Sequence, residues 1–181
     1  MIYNDIKIRE LIEAGNITGA SPEQVNPASL NIRLGYSFLI PRVPQNVILG
    51  QEVEYDSFYL QGREHIWIMP GQFMLATTCE SFKIPADVAA FVQGRSSIGR
   101  IGLMIQNAGF VDPGFKGHIT LELKNDSQNP IDLIPGYPVG QMVFFQTDLV
   151  EHPYCGKYNG QIEATGSRME LDRKGRDGID L

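Results

Sequence analysis

This chain of 181 residues has only two cysteines and fewer basic than acidic residues. Cys79 and Cys155 stand far apart and lack the Cys-x-x-Cys or Cys/His spacing of zinc ligands, so we expect neither a disulfide framework nor a structural zinc site. Lys and Arg number 15 against 21 Asp and Glu, giving a net charge of −6. Because sequence-independent nucleic-acid binders need a basic surface to displace counterions, this balance argues against a nucleic-acid partner.

Long apolar runs are absent as well. The chain has no run of 18 apolar residues, and its first ten residues carry charges where a signal peptide has an apolar segment. We therefore expect no membrane span and no secretory leader. Together with the low cysteine count, this predicts a cytoplasmic protein without a membrane partner.

Turn-forming residues are plentiful, with 19 Gly and 11 Pro, and 43% of the chain is apolar. A domain of this size can bury roughly 70% of the surface that its unfolded chain exposes, so we expect a single domain over residues 1–181. Its first element is predicted to be a short helix capped by Asp5. Ile8 and Leu11 fall on one face of this helix, and Gly15 stands at its end.

Alternating apolar residues dominate after that helix, beginning with Leu30, Ile32 and Leu34. Further strand candidates, separated by Pro-Gly turns, are residues 54–60, 65–68, 72–77, 88–93, 118–124 and 139–146. Many short strands at this spacing predict a mainly β sandwich or barrel. From about Cys155 the chain is polar and poor in aliphatic residues, which predicts a mobile C-terminal arm that stays disordered unless contacts order it.

The segment 94–100 (Gly-Arg-Ser-Ser-Ile-Gly-Arg) has the residue types of a phosphate cradle. Ser96 and Ser97 can begin a helical turn whose free N–H groups point outward, while Arg95 and Arg100 supply guanidinium groups for a polyanion. The alternative is a serine that caps a helix, flanked by surface arginines. The segment alone does not decide between them.

Four segments in order give the chain a resemblance to the dUTPase and dCTP deaminase superfamily. Residues 94–100 resemble its second motif, and the other three motifs are matched by residues 27–34, 108–117 and 139–142. The resemblance covers essentially the whole chain. It implies a dUTPase-like, distorted, jelly-roll-like β-barrel with a short N-terminal helix and a flexible lid at residues 155–181. It also implies a homotrimer whose active sites lie between neighbouring subunits.

Glu122 is the residue by which the chain resembles the deaminases of this superfamily. In the segment 118–124, Ile119, Leu121 and Leu123 alternate with Thr120 and Glu122, so the carboxylate leaves the apolar face. Taken alone, it is typical of a solvated strand glutamate, with Lys124 as a candidate partner. Because the chain lacks the His-x-Glu and Pro-Cys-x-x-Cys signature of zinc deaminases, the resemblance implies that Glu122 is the base that activates water at C4 of cytosine.

The resemblance assigns further roles around that base. Arg100 matches an arginine that supports the carboxylate, and such a pair about 4 Å apart is worth about 4 kcal/mol at an effective dielectric near 20. A phosphate or subunit-interface contact is the alternative for Arg100. Ser96 and the backbone of Ala108 are expected to hold the water and the base edge. Asp112 is expected to contact the deoxyribose 3′-hydroxyl and to help position water, and is also typical of a turn before Pro-Gly.

The remaining predicted contacts are with the nucleotide as a whole. The full set of substrate-binding residues is Arg95, Ser96, Ser97, Ala108, Asp112, Gln141, Tyr154, Lys157 and Gln161. The last three resemble the deaminase lid, which closes on the triphosphate and excludes bulk water. Glu163 departs from the glycine that the family has in this lid. Magnesium is expected on the triphosphate, with no metal ligand from protein side chains.

The segment 108–110 (Ala-Gly-Phe) bears on the number of activities. It resembles deaminases that continue from dUTP to dUMP and pyrophosphate, whereas the single-activity enzymes have Ala-His-Arg there. Against this, Asn107 stands in place of the usual Thr. The expected function is therefore bifunctional dCTP deamination. The alternatives are a deaminase that stops at dUTP, a plain dUTPase, and a nucleotide-binding regulator on the same fold. Inhibition by dTTP at the same site is a family property that the sequence leaves open.

Overall fold

The computed structural model describes residues 1–106 and 109–173. Strands dominate the described chain, together with two α-helices and two short 3-10 helices. The helices are α1 (Asp5–Glu13) and α2 (Ser96–Gly99), and the 3-10 helices are Pro22–Gln24 and Met169–Arg173. The strands are β1 (Ile17–Thr18), β2 (Val25–Asn26), β3 (Ser29–Pro41), β4 (Tyr55–Tyr59), β5 (Ile66–Ile68), β6 (Phe73–Lys83), β7 (Val88–Gly94), β8 (Leu103–Gln106), β9 (Phe110–Val111), β10 (Lys116–Asn125), β11 (Ile131–Leu133) and β12 (Pro138–Gln146).

The predicted N-terminal helix is present, but its cap is Asn4 rather than Asp5. The Asn4 side-chain oxygen accepts a hydrogen bond of 3.1 Å from the Lys7 backbone N–H, and Asp5 is the first helical residue. An acidic residue there is favourable beside the positive end of the helix dipole. Ile8 and Leu11 are buried, as the periodicity predicts. No helix among the described residues is long and apolar enough to cross a membrane.

One large curled sheet contains ten of the strands. Its order is β8-β10-β6-β3-β12-β7-β9, while β1 pairs with β6, and β2 and β4 pair with β3. A separate two-stranded sheet joins β5 and β11. The mainly β fold is confirmed. The five short strands that the sequence prediction missed (β1, β2, β8, β9 and β11) have two to four residues each, too few to show a period of two.

Strand β10 orients the face on which the site is built. Ile119, Leu121 and Leu123 point into the core and are buried, whereas Thr120 and Glu122 are only partly buried on the other face. Fully burying one such aliphatic side chain stabilises the fold by about 1.5–3 kcal/mol. A shift of β10 by one residue would expose these three side chains, so the core fixes the direction in which Glu122 points.

A β-bulge lies beside this part of β10. His118 pairs with Ser81 of β6 but Thr120 pairs with Thr77, so β6 contains extra residues around Thr78. The Thr78 hydroxyl accepts from the Ile119 N–H at 3.1 Å, and His118 Nδ1 lies 2.9 Å from the Thr78 carbonyl oxygen. These side chains satisfy backbone groups that a bulge leaves unpaired, and bulges commonly redirect side chains next to functional sites.

Candidate active site

A cavity of about 500 Å³ lies between β10 and the C-terminal part of the chain. Residues of β4, β6, β7 and β9 also line its wall. Four residues singled out in the sequence line it: Asp112, Glu122, Tyr154 and Gln161. A concave site that combines apolar walls with a few polar groups is the usual form of a small-molecule site.

Glu122 contributes a half-buried carboxylate to the cavity. Its backbone is fixed between Gln106 of β8 and Leu75 of β6. Burial raises the pKa of the Glu122 carboxyl, because removing water disfavours its charged form. Lys124 does not pair with it, since the Lys124 ammonium donates to the Gly71 carbonyl oxygen. Among the residues that the structure describes, none forms a hydrogen bond or ion pair with the Glu122 side chain.

Asp112 lies at the end of β9 and is exposed on the wall of the cavity. Its carbonyl oxygen accepts from the Phe115 N–H at 3.2 Å, which closes the turn expected at Pro113-Gly114. Gly114 has φ +93°, and a Cβ on it would lie 2.5 Å from Pro153 Cβ. A glycine is therefore needed at this turn, where Pro153 and Tyr154 pass close to the backbone.

Hydrogen bonds to the rest of the chain hold the C-terminal segment in an ordered position. We call residues 154–167 the closing arm. The Tyr154 N–H donates to the Pro113 carbonyl at 2.8 Å, and the Gln161 backbone oxygen accepts from the His118 N–H at 2.9 Å. Farther along, the Ala164 N–H donates to the Ser37 hydroxyl at 3.0 Å. These bonds place the arm along the cavity of the same chain, whose wall it helps to form.

The polar groups of Gln161 and Lys157 are engaged within the chain. The Gln161 side-chain N–H donates to the His118 carbonyl oxygen at 2.7 Å. Lys157 Nζ lies 2.7 Å from both carboxylate oxygens of Asp172, and Lys157 is not part of the cavity wall. In the single chain, Asp172 therefore takes up two of the three N–H donors of Lys157.

Residues 95–100 lie outside this cavity. Arg95 precedes α2 and donates to the Pro138 carbonyl oxygen at 3.1 Å, while Ser96, Ser97 and Arg100 are exposed. The alternative of a serine cap is wrong, because the N-cap residue of α2 is Arg95 and it makes no side-chain capping bond. Hydroxyl and guanidinium groups are thus presented together to the outside, on a surface that is not part of the cavity wall.

Arg100 and Glu122 are separated within one chain. Arg100 precedes β8 at its Leu103 end, whereas Glu122 pairs with Gln106 at the opposite end. Three residue steps along β8 span about 10 Å. The predicted support of Glu122 by Arg100 is therefore not formed within a single chain.

Gln141, another predicted contact, lies away from the cavity. Gln141 is in β12, and its side-chain oxygen accepts from the Ser29 hydroxyl at 3.3 Å. Ala108 and Asn107 lie outside the described residues. Gly109 comes next and packs tightly, since a Cβ on it would lie 2.6 Å from the Val92 carbonyl oxygen.

The described part of the cavity wall has acidic but no basic side chains. Asp112 and Glu122 are its two acidic members, and no Lys or Arg among the described residues lines it. Nor do any three His, Cys, Asp or Glu side chains in residues 1–106 and 109–173 form a set that could hold a metal ion. A polyanionic ligand in this cavity needs cationic partners from outside the wall.

Sequence reasoning missed several wall residues. Tyr55 of β4 accepts a hydrogen bond of 3.2 Å from the Ser167 N–H, and its ring meets Gly166 so closely that a Cβ there would lie 2.6 Å from the ring. Thr120 and Tyr158 also line the cavity. Tyr55 lies in no recognised motif, but Thr120 shares the polar face of β10 with Glu122, a signal that could have identified it.

Comparisons with known proteins give a consistent result. A family model described as dCTP deaminase-like matches residues 2–147. The dUMP-forming dCTP deaminase of Persephonella marina is 44% identical over 182 residues, covering 96% of this chain and 99% of the relative. The enzyme of the same name from Aquifex aeolicus is 44% identical over 177 residues, covering 96% and 98%.

Among solved structures, the 2′-deoxycytidine 5′-triphosphate deaminase of Agrobacterium tumefaciens superposes with a TM-score of 0.65. It is 24% identical, and the match covers 79% of this chain and 48% of that chain. At this identity the likeness concerns the fold. It agrees with the curled, mainly β architecture.

Proposed function

The chain belongs to the dCTP deaminase-like family, and from this membership we propose that it hydrolyses dCTP first to dUTP and ammonia and then to dUMP and pyrophosphate. Relatives 37–44% identical to it bear the name of dUMP-forming dCTP deaminases. The observation that carries the proposal is Glu122, a half-buried carboxylate without a described side-chain partner in a cavity of about 500 Å³.

The proposed deamination uses Glu122 as a proton carrier. The ionised carboxylate takes a proton from a water molecule as the water oxygen bonds to C4 of cytosine. This addition opens the C4–N3 double bond and leaves its electron pair on N3. The protonated carboxyl then gives its proton to the 4-amino group, the bond from C4 to that nitrogen breaks, and ammonia leaves. The C4 hydroxyl passes its remaining proton through the carboxylate to N3, so that the C4 carbonyl of uracil forms. General acid–base catalysis of this kind is worth about 10²–10⁴ in rate, and the remainder comes from orientation and electrostatic stabilisation.

The positive charge that the cavity lacks is proposed to come from a neighbouring copy of the chain. Ser96, Ser97 and Arg100 are exposed, and with Arg95 they form a group that can bind a polyanion. In a homotrimer with closed rotational symmetry, each such segment can face the cavity of the next subunit. Arg100 then stabilises ionised Glu122, while Arg95, Ser96 and Ser97 hold the triphosphate.

The second hydrolysis is assigned to the part of the cavity around Asp112. In this proposal, Asp112 contacts the deoxyribose 3′-hydroxyl and positions a water molecule, whose oxygen attacks the α-phosphorus while pyrophosphate leaves. Gly109 and Asp112 both line the cavity. The backbone of Ala108, together with Tyr154, Gln141, Lys157 and Gln161, completes the proposed set of nucleotide contacts.

Magnesium is proposed to be bound by the nucleotide, because the described residues offer no set of three metal ligands. Bound there, Mg²⁺ neutralises part of the charge of the triphosphate. We place the enzyme in the cytoplasm, where its nucleotide substrates are made and used. Inhibition by dTTP in the same cavity is the corresponding proposal for regulation.

The product distribution tests the proposed function and its alternatives. With dCTP and magnesium, we expect ammonia, pyrophosphate and dUMP in equal amounts, measured by coupled assay and chromatography. Accumulation of dUTP without pyrophosphate indicates a deaminase that stops at the first step. Pyrophosphate from dUTP without ammonia from dCTP indicates a plain dUTPase. Binding without any turnover indicates a nucleotide-binding regulator.

The pH dependence of deamination tests the charge state of Glu122. The carboxylate must be ionised to take a proton, so the acid limb of kcat/KM for dCTP reports the pKa of Glu122. Burial raises this pKa, and the Arg100 of the neighbouring subunit in the proposed trimer lowers it. Arg100→Gln removes the neighbouring positive charge, which raises the pKa of Glu122 further. We expect the acid limb of its residual deamination activity to lie at higher pH than that of the wild-type enzyme. An unmoved limb contradicts the pairing of the two residues.

A further inference from the structure

The closing arm and β8 share one edge of β10. Strand β6 pairs with β10 from Lys116 to Lys124 and so takes the other edge. On the shared edge, β8 pairs from Glu122 to Asn125, and the arm bonds at the opposite end through a bridge between Gly117 and Gln161. The stretch between these two partners holds Thr120, two residues before Glu122.

The Thr120 hydroxyl joins the arm at this gap. It donates to the Gln161 side-chain oxygen at 3.2 Å and accepts from the Thr165 N–H at 3.1 Å. One hydroxyl has one proton to give and lone pairs to accept with, so both bonds form at once. The other end of the Gln161 amide donates to the His118 carbonyl oxygen, which fixes the orientation of the amide.

These bonds hold a part of the arm that lines the same cavity as Glu122. Thr165, Gly166 and Ser167 belong to the cavity wall. Ala164 and Ser167 are held by Ser37 and Tyr55, and among the described residues of β10 only Thr120 bonds to residues 164–167. Removing its hydroxyl leaves the Thr165 N–H and the Gln161 oxygen without their partner.

We propose that Thr120 is a positioning residue that couples closure of the arm to the chemistry at Glu122. It keeps residues 161–167 over the carboxylate, so that bulk water is excluded while the cytosine ring reacts. The inference rests on the proposed function of Glu122, although the anchoring of the arm can be measured without any turnover.

The test compares Thr120→Val, which keeps the shape but removes the hydroxyl, with Thr120→Ser, which keeps the hydroxyl. The Val variant should lose about tenfold in kcat for ammonia release from dCTP, and the Ser variant should stay near wild type. In parallel, tryptic cleavage after Lys157 and Arg168, followed by mass spectrometry, should become several-fold faster in the Val variant only. Thr147→Val is the control, because Thr147 donates to the Asp148 carbonyl at 2.9 Å outside the cavity.

Three outcomes would overturn the inference: a Val variant like wild type in both measurements, faster cleavage with unchanged kcat, or a lower kcat with unchanged cleavage. The last would mean that Thr120 does not act through the arm. The proposed function has a separate test, since it fails if the wild-type enzyme releases no ammonia. A fully active Thr120→Val beside an inactive Glu122→Gln defeats only the role of Thr120.

Discussion

Glu122→Gln is expected to lower kcat for ammonia release from dCTP by about 10²–10⁴-fold. The amide has nearly the shape of the carboxylate but cannot take a proton from water. Because the side chain is half-buried and has no described ion-pair partner within the chain, the substitution breaks no observed contact. Nucleotide binding, measured by calorimetry, should therefore be retained, so the loss appears in kcat rather than in affinity.

The matched control for this variant is Glu151→Gln. The Glu151 side chain is 89% exposed and lies outside the cavity, so its removal should leave kcat unchanged. Hydrolysis of dUTP by the Glu122 variant gives a second comparison, because the proposed attack at the α-phosphorus does not use this carboxylate. Deamination by Glu122→Gln near the original rate would show that another group is the base.

Mixing two inactive variants is expected to restore deamination. In the proposed trimer, Glu122→Gln removes the carboxylate from the cavity of its own subunit, and Arg100→Gln removes the guanidinium that faces the cavity of a neighbour. In randomly mixed trimers, half of the cavities keep the carboxylate and half of the facing segments keep the guanidinium. About one quarter of the sites then have both groups, so activity should rise from near zero to about a quarter of wild type.

A second mixture provides the control for this experiment. Glu122 and Asp112 line the same cavity of one chain, so mixing Glu122→Gln with Asp112→Asn should give only the average of the two separate activities. The subunit composition can be checked by native mass spectrometry with one variant tagged. If Arg100→Gln and Glu122→Gln form mixed trimers without regaining activity, the two residues do not act across a subunit boundary.

Period-two alternation was sufficient to predict the strand that carries the site. Ile119, Leu121 and Leu123 identify the buried face of β10, and the direction of Glu122 follows from it. The bulge at Thr78 was not predictable in this way, because it depends on a side-chain hydroxyl that satisfies the backbone of another strand. Such a contact between residues distant in sequence leaves no periodic pattern.

The order of the closing arm was not predictable from the sequence either. Its polar composition predicts disorder without contacts, and its contacts depend on the positions of Ser37, Tyr55 and Thr120 in the finished sheet. Gln161 was predicted as a nucleotide contact, but in the structure its side-chain amide is hydrogen-bonded to His118 and Thr120 of β10. Motif resemblance assigned residues to the site, whereas the sheet geometry decides which of them one chain brings together.

The most direct test is a crystal structure of the Glu122→Gln variant with dCTP and magnesium. The account predicts the cytosine ring in the cavity beside β10, with a water molecule about 3 Å from both C4 and the side chain at position 122. It also predicts a guanidinium of a neighbouring subunit next to that side chain. A cytosine ring bound elsewhere, with C4 beyond reach of position 122 even through one water, would contradict the assignment of Glu122 as the base.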